Sequence, residues 1–261
     1  MVQNIKVKEK GKSINLYFVG DLHAGSRTFA KKEFEDTIKM IRKDPKARLI
    51  GMGDYGDFIE SDDTRRYDPA NIDKKMDTYF KQCDYIQKQL ETIKGKVYGL
   101  LTGNHERAYS KYHKELFTKY RCPAERITKK MKLKYLEDLG IVGLNVGGYN
   151  YNIVVAHGAG SSSKLAGQVN SLNNIINAYD VVPDIAAMGH VHSLQTIVNP
   201  KMSFNFKTKI KHLALTGNYY RTYIKGNMNY ASSNLYNPLP VGCVMYSLDN
   251  KGNIKDNKII F

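Results

Sequence analysis

Through its first half the chain alternates short apolar runs with longer stretches in which apolar residues recur at helical spacing. Residues 14–19, 47–52 and 97–101 read as buried strands. Between the first two, residues 29–43 carry Phe34, Ile38 and Ile41 on one helical face and stop before Pro45. Asn71 or Asp73 could cap a second helix running to Lys94. The order strand, helix, strand, helix, strand, with polar residues closing each strand, predicts an α/β layered fold. Its sites should lie at the carboxyl ends of the strands.

Two further helices are expected, over 105–120 and from Pro123 to Leu139, with Gly140 closing the second. Residues 141–145 and 151–156 read as strands joined through Gly147-Gly148, a hairpin. A polar-faced helix over 165–179 and a strand over 184–188 follow. The remainder alternates short β-like runs with Gly, Asn and Pro turns, as in a second sheet. No repeat, low-complexity tract or linker interrupts the pattern, so residues 1–261 are expected to form a single domain.

Composition narrows the class. An apolar content of 42% and a charged content of 25% fit a soluble globular protein, and 261 residues suffice for one full-sized core. No apolar run approaches the length of a membrane span, so no membrane partner is expected. The first ten residues are charged and lack the apolar stretch of a secretory signal. Cys83, Cys122 and Cys243 are odd in number and widely spaced, which favours reduced thiols and a cytoplasmic setting. The net charge of +15 should attract polyanions, nucleic acid above all. A solvated lysine-rich surface would carry the same charge.

The chemistry gathers where strands end. Asp21 and His23 follow the first strand, and Asp54 and Asp57 the second. Asn104 and His105 follow the third, His157 a later one, and His190 and His192 the last of this series. Asp-x-His and His-x-His place alternate side chains on one side of an extended segment, where both can face one ion. Five of the seven histidines occur in this setting; His113 and His212 do not, and read as ordinary surface or core residues. Nitrogen and oxygen donors without sulfur suit Mn²⁺, Zn²⁺ or Fe. A metal centre is the expectation.

The ordered set Asp21-x-His23, Gly53-Asp54-x-x-Asp57, Gly103-Asn104-His105-Glu106, His157 and Gly189-His190-x-His192 resembles the calcineurin-like metallophosphoesterase superfamily. Glu106 stands where many members have Asp, and His157 lacks a distinctive flanking sequence. The resemblance implies a layered β-sandwich with helices on both outer faces and metals at one edge. It implies two divalent ions, Mn²⁺ first, with Zn²⁺ or Fe as alternatives. Asp21, His23 and His192 would hold one ion, Asn104, His157 and His190 the other, and Asp54 would bridge them. Such a pair clamps a phosphoryl group and acidifies a bridging water into the nucleophile. His105 is then the general acid, oriented by Asp57. A helix-capping role would also explain Asp57.

The core motifs leave the phosphoester open. Phe58-Ile59 replaces the Arg-Gly of the protein phosphatases of this group and weighs against that branch. Lysines and arginines from Lys111 to Lys134, Lys129 and Lys130 among them, could form a ridge that tracks phosphates or a solvated helix face. Arg65 and Arg66 sit in the polar loop 61–69. Arg221 lies among Tyr219, Tyr220, Tyr223 and Tyr230, where aromatics and bases could hold nucleotides. The leading expectation is a phosphodiesterase or nuclease acting on DNA, similar in its core to SbcD-type exonucleases. Those carry a C-terminal capping region for which this chain has little room. The alternatives are a phosphatase or phosphodiesterase for nucleotides or other small molecules, and a non-catalytic scaffold.

Overall fold

The computed structural model describes residues 2–160, 162–178, 182–202, 204–206, 208–226 and 229–261. After β1 (Val2–Glu9), three strands run parallel side by side: β2 (Ser13–Val19), β3 (Ala47–Gly51) and β4 (Val97–Leu101). Helices α1 (Lys31–Lys43) and α2 (Tyr79–Glu91) make the crossovers that parallel pairing requires. Next come α3 (Asn104–Tyr112), α4 (Pro123–Met131) and a fourth parallel strand, β5 (Tyr135–Glu137).

The second half begins with the hairpin of β6 (Leu139–Val146) and β7 (Tyr149–Ala156), as the Gly147-Gly148 turn predicts. α5 (Leu165–Asn177) crosses to β8 (Ile185–Met188), parallel to β7. β9 (Leu194–Met202) and β10 (Thr208–Asn218) form a long hairpin with β10 parallel to β8. β11 (Gly242–Asp249) then returns to pair with β2, and β12 (Ile254–Ile260) pairs outside it.

The expected sandwich of separate sheets is corrected by the pairing. β1 lies between β5 and β6, and β10 meets β11 through Gly217↔Cys243 and Asn218↔Gly242, so one twelve-stranded sheet closes on itself as a barrel. Alternation along the strands sorts its two sides. Leu16 and Phe18 face an interior shared with Ile50, Leu101, Val142, Leu144, Ile153 and Tyr246. Tyr17 and Val19 face outward, beneath Phe34, Ile38 and Ile41 of α1, Ile86 and Leu90 of α2, and Ile127 of α4. Leu172 and Ile176 of α5 cover Ala186, Met188, Leu213 and Leu215 on the opposite wall. Helices therefore do lie on both outer faces.

Several boundaries differ from expectation for local reasons. The helix from Pro123 stops at Met131 because Lys132 turns left-handed (φ 56°), and Tyr135–Glu137 become a strand. Val2–Glu9 form β1, whose inward side offers little beyond Ile5 and Val7. α2 starts at Thr78, whose hydroxyl accepts Lys81 N. Residues 71–73 instead pin the loop after His23: Ser26 pairs with Ile72, and Asp73 N donates to Gly25 O. α3 ends at Tyr112, and Tyr179, the expected end of α5, lies outside the described residues.

Barrel closure constrains Gly217. Its φ is +82°, and a Cβ there would stand 2.5 Å from Gly242 O. Gly217→Ala should lower stability by more than about 1 kcal/mol in urea unfolding. Gly95→Ala, where a Cβ meets nothing within 4 Å, should stay within about 0.5 kcal/mol. Equal effects would mean that the β10–β11 junction is not a constraint.

Candidate metal centre

The parallel strands β2, β3 and β4, and on the facing wall β7 and β8, all end at one rim of the barrel. Each delivers expected ligands there. The donor atoms of Asp21, His23 and His192 lie within 4.8 Å of one another, as do those of Asp54, His157 and His190. Asp54 also groups with His23 and His105, so its carboxylate stands between the two sets. The expected geometry of the motifs is corrected: Asp-x-His and His-x-His are not extended. Asp21, His23, Asp54, His190 and His192 all have left-handed backbones, with φ between 49° and 66°. Non-glycine residues avoid that region at about 1–3 kcal/mol each, and such strain gathers at functional sites.

Backbone hydrogen bonds hold these turns. Asp54 O accepts from Leu22 N and His23 N, and Gly53 O from Asp21 N. Asp21 in turn accepts His190 N on its carboxylate at 3.0 and 3.1 Å. Asp54 Oδ1 accepts His105 N at the start of α3, and its Oδ2 faces His157 Nε2 at 3.2 Å. Gly103 is required here, because a Cβ would fall on Asp54 Oδ1.

The ring nitrogens carry the strongest chemical signal. His157 Nδ1 donates to Met52 O at 2.8 Å, and His190 Nε2 to Gly160 O at 2.9 Å. In the neutral rings, the opposite nitrogens are then bare lone pairs. Both point at the Asn104 carbonyl oxygen, from 2.9 and 2.8 Å. His23 Nδ1 likewise donates to Asp57 Oδ1, which turns its Nε2 toward His192 Nε2 at 3.1 Å. Acceptors facing acceptors need a cation between them. Donors about 2.1 Å from one ion lie about 3.0–3.4 Å apart at octahedral or tetrahedral angles, close to these spacings. The donor set therefore fits divalent ions.

Protonation follows the same logic. Burial holds His23 and His190 below the ordinary imidazole value, which favours the neutral ligand form. Burial also disfavours the charged form of His157, but the Asp54 carboxylate outweighs it and raises the ring to about 10. In the absence of metal a proton thus occupies the place between these acceptors. His105 donates Nδ1–H to Asp57 O at 2.7 Å and is raised despite burial by the Asp54 and Asp57 carboxylates. Its other nitrogen remains available to give a proton.

Glu106, noted in the sequence only as a departure from the family motif, has a definite task. It is fully buried and accepts Asp54 N, Tyr55 N and Gly103 N at 2.8–3.0 Å, tying the β3 loop to the β4 loop. Burial, reinforced by Asp54, raises it to about 7. Asn218 and Tyr220 also border the site. Asn218 Nδ2 donates to His192 O, and the Tyr220 ring packs against His23 and His192.

The expected substrate-binding residues are more scattered. Arg66 pairs with Asp63 and lies over the Tyr112 ring, while Arg65 is exposed on the same loop. Arg221 pairs with Glu33. Lys129 and Lys130 are exposed at the end of α4, but of the expected ridge Arg121 pairs with Glu125 and Glu137, and Arg126 lies over the Tyr79 and Phe80 rings. The side chain of Tyr230 lies outside the described residues.

Neither a family model nor a curated protein matches the chain. Solved structures do. Vps29 of Chaetomium thermophilum is 10% identical with a TM-score of 0.42, over 95% of this chain and 98% of that one. A predicted phosphoesterase of Streptococcus pneumoniae is 8% identical with a TM-score of 0.38, over 95% and 98%. NAD nucleotidase of Haemophilus influenzae is 11% identical with a TM-score of 0.44, and this chain spans 50% of it. Likenesses this distant leave the functional reading to the ligands. In their order and chemistry these resemble a calcineurin-like metallophosphoesterase centre.

Metal and proton compete for the site, which fixes the sign of its pH dependence. Below pH 10 the metal-free His157 is protonated, so binding an ion must release that proton. Calorimetry in two buffers of different ionisation enthalpy should show proton release at pH 7, with Mn²⁺ affinity rising from pH 6 to 8. A flat affinity would remove His157 from the ligand set.

Proposed function

We propose that the protein is a two-metal phosphoesterase. The convergence of bare acceptor atoms on two adjacent points, with Asp54 between them, is the observation that carries this reading. Asp21, His23 and His192 would hold one ion, Asn104, His157 and His190 the second, and Asp54 both. Bound there, two divalent ions would clamp the phosphoryl group and acidify the attacking water. Mn²⁺, Zn²⁺ or Fe suits the nitrogen and oxygen donors.

The chain's own residues supply the rest. Glu106 fixes the Asp54 loop by three backbone bonds and holds the bridging carboxylate in register with Asn104. His105, shifted toward its protonated form by Asp54 and Asp57, would give its proton to the leaving alkoxide. Asp57 orients His23 and His105 together, one through its carboxylate and the other through its carbonyl.

DNA is the proposed substrate class, supported by the net charge of +15 and the exposed lysines of α4. A nucleotide or another small phosphoester is the second reading. The pairing of Arg66 and Arg221 with carboxylates favours it, since neither is a free phosphate anchor.

Metal-loaded protein should hydrolyse bis-p-nitrophenyl phosphate and DNA. His105→Ala should slow DNA cleavage about 10²–10⁴-fold, and p-nitrophenyl esters much less, because that leaving group needs no proton. Equal losses on both would remove the acid role, and no hydrolysis with metal bound would leave a binding scaffold. Reversing Lys129, Lys130 and Lys132 to Glu should weaken DNA binding and flatten its salt dependence. Unchanged binding would shift the substrate to the small phosphoesters.

A further inference from the structure

We infer that Tyr220 is a specificity residue whose ring receives a flat aromatic group of the phosphoester, a nucleobase being the class that fits. The inference rests on the phosphoesterase reading, because it takes the place of the substrate from the expected ligands His23 and His192 beside Tyr220.

Position comes first. The Tyr220 ring stands 5.4 Å from the His23 ring and 5.8 Å from the His192 ring. His23 stands 4.6 Å from His105, the acid that meets the departing oxygen. Tyr220 therefore flanks the His23–His192 pair. The residue is half-buried, with its ring against the two histidines.

Rigidity comes second. Tyr220 N donates to Asn218 Oδ1 at 2.7 Å, and Phe29 bridges to its backbone from the opposite loop. At its far end the hydroxyl donates to Asn229 Oδ1 at 3.2 Å. Asn229 is itself buried and donates through Nδ2 to Thr222 O at 3.1 Å. The ring is thus anchored at both ends, and a ligand stacking on it loses little side-chain freedom. With the hydroxyl engaged, the ring offers its π-face, and a purine or pyrimidine is the common biological partner for that surface.

The test uses the full chain at equilibrium. The probe is 2-aminopurine riboside 5′-monophosphate, whose fluorescence is quenched on stacking, with ribose 5-phosphate as competitor. Tyr220→Leu should weaken the base-bearing probe about five- to fiftyfold and shift ribose 5-phosphate less than about twofold. Tyr220→Phe should keep the preference, since the ring face survives. Equal weakening of both ligands, no change in either, or loss of the preference in Tyr220→Phe would overturn the inference. Hydrolysis of bis-p-nitrophenyl phosphate by the unmodified protein separates the two readings. If hydrolysis persists while the preference ignores residue 220, the inference alone falls. If no hydrolysis occurs but the preference depends on residue 220, the phosphoesterase reading falls and a base-binding face stands.

Discussion

Asp54 is the point on which the rim of the barrel depends. Its carbonyl holds the Asp21–His23 turn, its amide is held by Glu106, and its carboxylate reaches both His105 N and His157 Nε2. Three segments distant in sequence therefore take their positions from one residue at the end of β3. That residue is itself forced into a left-handed conformation, so the network around it must outweigh its backbone preference. Glu106 is the chief support. A buried carboxylate accepting three amides is a strong brace because each bond is charge-assisted when the group is ionised.

The second dependence is electrostatic. Imidazole lone pairs, amide carbonyls and carboxylates converge with few donors among them. Without a cation the arrangement is relieved by protons, and His157 is the group that takes one. The same convergence that favours an ion thus makes the ion-free rim sensitive to pH. Second partners such as Met52 O and Gly160 O fix the ring orientation of these histidines and aim the opposite nitrogens at Asn104.

Much of this could be read in the sequence. Apolar runs ending in Gly, Asp, Asn and His marked β2, β3, β4, β7 and β8, and their parallel ends predicted where the chemistry gathers. What escaped was set by tertiary pairing. β5 is three residues long and shows no period of its own, and β1 offers one narrow apolar side; both exist because the barrel has places for them. The left-handed ligands escaped because a two-residue spacing reads as extended strand unless neighbouring carbonyls are known. The place of Arg126 escaped for a similar reason: sequence shows its charge, whereas the Tyr79 and Phe80 rings that it lies over come from another helix.

Closure of the barrel has a bearing on how the molecule is made. β1 pairs with β6 across about half of the chain's length, and β2 pairs with β11 across most of it. His190 and His192 belong to the last third, and Asn218, which holds the His192 carbonyl, comes later still. Loop-closing contacts of this span form late. During synthesis the half bearing Asp21, His23, Asp54 and Asn104 therefore emerges before the side chains that face its turns from the opposite wall. The side chains of the rim can converge only once the wall bearing His157, His190 and His192 has arrived, which ties the assembly of the site to strands far apart in sequence.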